Sequence, residues 1–280
     1  MAQGTRASPR PGRFLTIQGY SEAVIRATLA LVILGVVFVP LEKLRPVRRG
    51  QRFRRPGLRT DVIHFLVTGT LGTIALVILA VMIALPLQRL TPDSLRHEVT
   101  AQPQVLQLIA ALLIIEFTGY WAHRAHHRIP ALWKLHRVHH SSVRMDWLAA
   151  AHLHPLDSAT SRILGVVPLA ILGFSRSTFG ATIVLLQLHA IFQHANFRTH
   201  FGTLGQLVSS PHFHHWHHSG DLEARDKNFA GMCPWLDRVF GTSHAPTHAW
   251  PQTYGIDDPM PAGYLRQLQS PFLASEPVAA

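Results

Sequence analysis

Histidine is the residue whose number and spacing in this chain speak most directly of chemistry. Of the 20 histidines in 280 residues, sixteen lie between His123 and His218, about a third of the chain. They fall in recurring patterns. His123 and His127 stand four apart. His136, His139 and His140 spell H-x-x-H-H, and His214, His217 and His218 repeat it. On a helix, positions i, i+3 and i+4 share one face, so each triplet is expected to aim three imidazoles in one direction. His154, followed by Pro155, and His194, two before Asn196, join them as single candidates. Neutral imidazole is a good ligand for zinc, copper, iron and nickel. One tetrahedral zinc takes four ligands, so the eight to ten histidines of these patterns exceed one such site. They suit two metals, each held by four or five nitrogens with a position left open.

Other histidines fall off these patterns. His126, His152, His189, His200, His212 and His215 are read as supporting or surface residues. His64, His97, His244 and His248 are read as ordinary core or surface histidines. A single cysteine, Cys233, excludes a disulfide framework and a cysteine-rich zinc site. A zinc hydrolase would carry H-E-x-x-H, and no glutamate sits between the paired histidines. A metal transporter would place its ligands inside apolar helices near the bilayer midplane. Here the triplets lie in polar, basic segments.

The elements that must position these histidines read as membrane helices. Apolar residues make up 48% of the chain and charged residues 15%, against roughly 25% charged in soluble domains. Residues 62–87 contain no ionised side chain, and a spanning helix needs roughly 20 apolar residues. Residues 27–39 are uncharged, and the run reaches back to Ala23 if Arg26 snorkels. Residues 105–121 hold one acid, Glu116. Two shorter apolar runs, 163–174 and 178–192, flank Ser175-Arg176-Ser177 and suggest a helical hairpin dipping into the bilayer. The expected fold is an all-α integral membrane protein. About four transmembrane or re-entrant helices carry a cytoplasmic, helical, histidine-rich metal site. No small-residue cleavage site follows the first run, which fits an uncleaved anchor or a re-entrant segment.

Loop charge sets the orientation. Lys43, Arg45, Arg48, Arg49, Arg52, Arg54, Arg55 and Arg59 crowd the first connection, with only Glu42 and Asp61 opposing. Loops rich in Lys and Arg stay cytoplasmic. The connection at 88–104 is nearly balanced, as expected outside. The third helix then delivers the histidines to the cytoplasmic face. The net charge of +11 comes largely from the 43–59 loop. It reads as anchoring to anionic lipid, not as a nucleic-acid groove. The expected organisation is a disordered basic N-terminus (1–18), membrane helices (19–121) with a basic cytoplasmic loop (43–61), a catalytic region (116–245) and a C-terminal tail (246–280). The arginine- and alanine-rich composition points to a bacterial inner membrane.

The motif set resembles the fatty acid hydroxylase/sterol desaturase superfamily of membrane oxygenases. The matching residues run Tyr120-Trp121-Ala122-His123-Arg124-Ala125-His126-His127, then Pro130-Ala131-Leu132-Trp133, His136-Arg137-Val138-His139-His140-Ser141 and His154-Pro155. They continue through His194-x-Asn196, the 211–219 run from Pro211 to Ser219, Asp226-Lys227-Asn228-Phe229, and the 235–242 run from Trp235 to Thr242. The family commonly has Asp at Glu116 and Arg at His152. The resemblance implies a histidine-bound di-iron centre that splits dioxygen and hydroxylates or desaturates a lipid C–H bond. The ligands it implies are His123, His127, His136, His139, His140, His154, His194, His214, His217 and His218. The cofactor would be two iron ions, with zinc able to replace them on purification. Inserting one oxygen atom needs two external electrons. The chain carries no nicotinamide, flavin, haem or ferredoxin motif, so a cytochrome b5-, ferredoxin- or reductase-like donor is implied. Glu116, seven residues before His123, is expected to accept a ligand N–H, and Asn196 to orient a ligand or water. Asp226 and Asn228 are expected to cap or bond the last histidine helix, and Asp237-Arg238 to form an ion pair. The competing reading is a non-redox membrane zinc protein, a hydrolase or a metal handler.

Overall fold

The structure is a computed structural model that describes residues 17–247, 249–258 and 260–273. The expectations placed on 1–16, His248 and 274–280 lie outside the described residues. Within them the chain is helical, and a single antiparallel bridge joins Ser219 to Tyr254.

The first apolar segment is one uninterrupted helix, α1 (Ile17–Leu44). Its 28 residues give about 42 Å at ~1.5 Å per residue, more than a hydrocarbon core of ~30 Å. The second segment is a rod of three parts: α2 (Leu58–Ile63), one π-helical turn (His64–Thr68) and α3 (Gly69–Gln88). A short polar helix, α4 (Asp93–Ala101), leads into α5 (Gln104–Arg128). Ile129 is extended because the following Pro130 disfavours helical backbone before it. The chain turns there into α6 (Pro130–His140). Then come α7 (Pro155–Leu172) and α8 (Arg176–His194), joined through Gly173 in the left-handed conformation and capped by Ser175. The remaining helices are short: α9 (Pro211–His217), α10 (Trp235–Val239) and α11 (Tyr264–Gln269).

Among the described residues, four helices are long and apolar enough to cross a membrane: Val24–Leu44, Leu58–Gln88, Gln104–Arg128 and Pro155–Leu172. Their outward faces are apolar. Val24, Ile33 and Val36 on α1 are each more than half exposed, as are Val77 and Met82 on α3. Contiguous apolar surface of this kind is costly in water and cheap in lipid. The inward faces pack closely: α3 lies along α7, and α7 along α5. Gly165 of α7 lets α5 approach. A Cβ there would stand 3.3 Å from the Ile115 backbone and 3.2 Å from the Thr118 hydroxyl.

One end of the bundle gathers the polar chemistry. The C-terminal ends of α1, α5 and α8 and the N-terminal ends of α2 and α7 meet the segments that carry the histidines. The basic 43–59 loop is tied to the same end. The Arg48 N–H donates to Asn196 Oδ1 at 2.8 Å. Gln51 donates to the Met145 carbonyl at 2.9 Å. Arg55 bridges Asp61 and Asp146, all three side chains being buried.

Candidate metal centre

Four elements bring nine imidazoles together. The last turns of α5 carry His123 and His127, α6 carries His136, His139 and His140, α8 ends on His194, and α9 carries His214 and His217 with His218 at its end. Pro130 and Pro211, each at the first turn of its helix, fix where α6 and α9 start. The nitrogens fall into two groups. His123, His127, His136, His140 and His217 form one, and His139, His194, His214 and His218 form the other. Within each group the ligand atoms lie within 4.8 Å of one another.

This grouping differs from the expectation that each triplet aims at one point. In H-x-x-H-H the first and last residues are separated by ~40° around the helix and the last two by ~100°. The pair His136/His140 therefore joins the first group, while His139 turns to the second. In α9 the division is reversed: His214 and His218 join the second group and His217 the first. Each triplet thus links both groups, which makes the two sites one structural unit.

The outer nitrogens of six of the nine are held by acceptors, while Nδ1 of His214 and of His218 is buried with no hydrogen-bond partner. His123 Nδ1 donates to the Phe229 carbonyl at 2.8 Å, His217 Nδ1 to the Lys227 carbonyl at 2.8 Å, and His139 Nδ1 to the His152 carbonyl at 3.2 Å. His194 Nδ1 donates to the Ala190 carbonyl at 2.7 Å. His136 Nδ1 bonds the Asp157 carboxylate at 3.1 Å, and His127 Nδ1 bonds Asp226 at 3.2 Å. A carbonyl or carboxylate only accepts, so the proton sits on Nδ1 and the Nε2 lone pair faces the group.

Outside the candidate membrane segments, burial disfavours the charged form. It holds His139, His140, His214 and His218 well below the usual histidine range, helped by neighbouring histidines. Burial pushes His194 down to about 4 and His217 to about 3.

Two consequences bear on a metal. His139 and His194 are neutral, both protonated on Nδ1, with their Nε2 atoms 3.2 Å apart. Two lone pairs face each other at that distance, an arrangement that needs a cation between them. His123 and His136 present the same geometry at 3.1 Å. Nitrogens ~2.1 Å from one ion and at right angles stand about 3.0 Å apart, so the spacing fits ligands sharing a metal. In addition, Nε2 of His127 and of His217 is buried with no hydrogen-bond partner. The donor set fits a transition metal in each group.

The other expected residues are placed as follows. His154 stands apart. Its Nδ1 accepts the Leu156 N–H at 3.1 Å, capping α7, and its Nε2 bonds the Leu268 carbonyl at 3.1 Å. Both nitrogens are occupied, so we expect His154→Ala to leave bound metal unchanged. It should cost about 1 kcal/mol through the lost cap, read as a small fall in the unfolding midpoint beside unaltered metal content. Glu116 is buried, and its carboxylate accepts the N–H groups of Met232 and Cys233 at 2.6 and 3.0 Å. It anchors the segment whose Phe229 carbonyl receives His123, instead of receiving a ligand N–H itself. Asn196 ties the basic loop through both its Oδ1 and Nδ2 to Arg48.

Asp226 holds His127, and Asn228 bonds the Phe213 carbonyl of α9. Both adopt positive φ. Asp237 is not paired with Arg238. It is fully buried and accepts from the N–H groups of Phe229 and Ala230 and from the Thr242 hydroxyl. The off-pattern His126 and His215 have both nitrogens engaged elsewhere.

Sequence reasoning missed Asp157, which is fully buried and bonds His136. Its signal was present: an acid two residues after Pro155 at the head of an apolar helix. It also missed the Arg55–Asp61–His152 chain. Asp61 Oδ1 meets His152 Nδ1 at 2.6 Å, which fixes the residue whose carbonyl holds His139.

Residues 108–242, which contain the whole of this histidine cluster, match the model of the fatty acid hydroxylase family. Among curated relatives, ornithine lipid hydroxylase OlsE of Rhizobium tropici is 28% identical over 89% of this chain and 74% of its own length. Human alkylglycerol monooxygenase is 29% identical over 54% of this chain and 33% of its own length. Methylsterol monooxygenase 1-1 of Arabidopsis thaliana is 28% identical over 51% of this chain and 48% of its own length. The chain thus spans about three quarters of the first relative and half or less of the other two. No solved structure matches it significantly.

Proposed function

We propose that the chain is a membrane-embedded di-iron oxygenase that hydroxylates a C–H bond of a lipid. The observation that carries this reading is the pair of neutral imidazoles, His139 and His194, whose lone pairs meet at 3.2 Å inside a nine-histidine cluster. His123, His127, His136, His140 and His217 would hold one iron, and His139, His194, His214 and His218 the other. Bound there, two irons supply the redox chemistry that activates dioxygen for insertion into a C–H bond. The balance is a C–H bond, O2, two electrons and two protons going to C–OH and water. The relatives are lipid hydroxylases and monooxygenases by name, which supports a redox metal over zinc and a lipid over a soluble substrate.

The chain's own residues do the rest. Phe229, Lys227, His152 and Ala190 carbonyls and the Asp157 and Asp226 carboxylates keep Nδ1 protonated and the ring oriented in six of the nine: His123, His217, His139, His194, His136 and His127. Burial favours the neutral, metal-binding form of His139, His140, His194, His214, His217 and His218. A cavity of 390 Å³ opens onto His127, His140 and His217 and is lined by Trp133, Ser219 and Asp226. Its polar walls suit delivery of protons and of a polar substrate group. The basic 43–59 loop shares the metal-bearing end of the bundle, which supports a cytoplasmic metal site in an inner membrane and access for a soluble or membrane-bound electron donor.

The test is an isotope experiment. Membranes containing the protein, a reductase system and lipid extract are incubated under 18O2, and lipids are compared by mass spectrometry. A lipid gaining one 18O atom only with the intact protein supports the reading. No labelled lipid under reducing conditions, with iron bound, would contradict it.

A further inference from the structure

Arg162 is a charged side chain on a helix apolar enough to cross a membrane. It lies seven residues from the start of α7, about 10 Å along the axis. Its guanidinium forms no ion pair and no hydrogen bond among the described residues. Asp157, the nearest acid in α7, is engaged with His136 and His126. Arg162 lines a cleft of 480 Å³ between α1, α3, α7 and α8. The cleft is otherwise mostly apolar, with walls that include Phe65, Ile74, Leu153 and Ile191. Ser158, one turn earlier on the same face of α7, and Gln187 of α8 line it too. Gln187 likewise has no side-chain hydrogen bond among the described residues. The inner wall includes Ala190, whose carbonyl holds His194, and Ala151, which precedes His152.

An unpaired guanidinium in a lipid-facing apolar cleft calls for an anion. Guanidinium binds carboxylate and phosphate oxygens through paired N–H donors, and ionisable groups at membrane depth are functional by default. We infer that this cleft is a lipid-binding site in which Arg162 holds an anionic headgroup oxygen, carboxylate or phosphate, while the apolar walls take the adjoining chain. The occupant is a lipid because the cleft lies among helices that face the bilayer, and its anionic character follows from a guanidinium with no ion-pair or hydrogen-bond partner among the described residues. A lipid anchored there lies beside the turn of α8 that presents His194. The inference rests on the proposed oxygenase in naming the substrate class, but its binding test needs no turnover.

The experiment is native mass spectrometry of the full chain released from mild detergent. Oleate, phosphatidylglycerol and uncharged diacylglycerol are offered separately at matched concentrations. The expected result is retention of an anionic lipid at least about tenfold above diacylglycerol, since charge-assisted hydrogen bonds are worth roughly that or more. Preference for oleate identifies a carboxylate, and preference for phosphatidylglycerol a phosphate. Arg162→Leu should abolish the preference, Arg162→Lys should keep part of it, and metal content should match the unmodified protein in both. Equal retention of all three lipids by the unmodified chain would overturn the inference without any variant. So would an Arg162→Leu protein that keeps the full preference. If Arg162-dependent binding is found but no lipid is oxidised, the oxygenase reading fails and this one stands.

Discussion

His217→Ala and His139→Ala are each expected to abolish turnover, and each should release metal from a different group. His217 belongs to the five-nitrogen group and His139 to the four-nitrogen group. Partners that merely orient a ligand are worth ~10–100-fold in metal affinity or activity, so removing a ligand should cost activity at least ~100-fold. The larger effect belongs to His139. Its removal leaves three imidazoles in its group and takes away one of the two facing lone pairs that a cation must satisfy. Both variants should retain the helical fold, because every other contact of α6 and α9 remains. Metal analysis and turnover are read on the same preparation. Full activity in either variant would remove that histidine's group from the chemistry.

Asp157→Ala is the second large effect. Asp157 is fully buried in the first turn of α7. It accepts from His136 Nδ1 at 3.1 Å and lies 3.4 Å from His126 Nε2. Alanine would strand the His136 N–H in the interior and free the ring to rotate or change tautomer. A lost hydrogen bond to a charged group is worth about 1.5–3 kcal/mol, which should appear as a lower thermal midpoint. Metal affinity of the first group should fall by about 10–100-fold, measured by competition with a chelator. Asp157→Asn keeps an acceptor of the same shape, so it should recover most of the stability and only part of the affinity. An alanine variant that holds metal as tightly as the unmodified protein would show that Asp157 serves packing alone.

These residues show where the sequence was legible. The spacing of four between His123 and His127, His136 and His140, and His214 and His218 marks ligands on adjacent turns of one helix face. Nine of the ten histidines singled out come together in the structure. The three long apolar runs likewise appear as helices able to cross a membrane, and α7, which holds most of the shorter 163–174 run, is a fourth among the described residues because it starts at Pro155. What could not be read is which nitrogen faces which group. The division of each triplet depends on how α6 and α9 are rotated against each other, and that is settled by tertiary packing. The orienting acceptors were equally hidden, because Phe229, Lys227, His152 and Ala190 act through backbone carbonyls that carry no side-chain signature. His154 shared the ligand-like context of the others, but the proline after it starts a helix that its ring caps. Asp237 sits next to an arginine in sequence, yet its carboxylate turns inward to the N–H groups of Phe229 and Ala230, while Arg238 is left on the exposed side.

The most direct test of the central claim is elemental analysis of the detergent-purified full chain expressed with added iron. The two histidine groups predict close to two irons per chain, falling in His139→Ala and His217→Ala. A chain that binds no transition metal under these conditions would contradict the account and leave nine inward-facing imidazoles without a cation to hold.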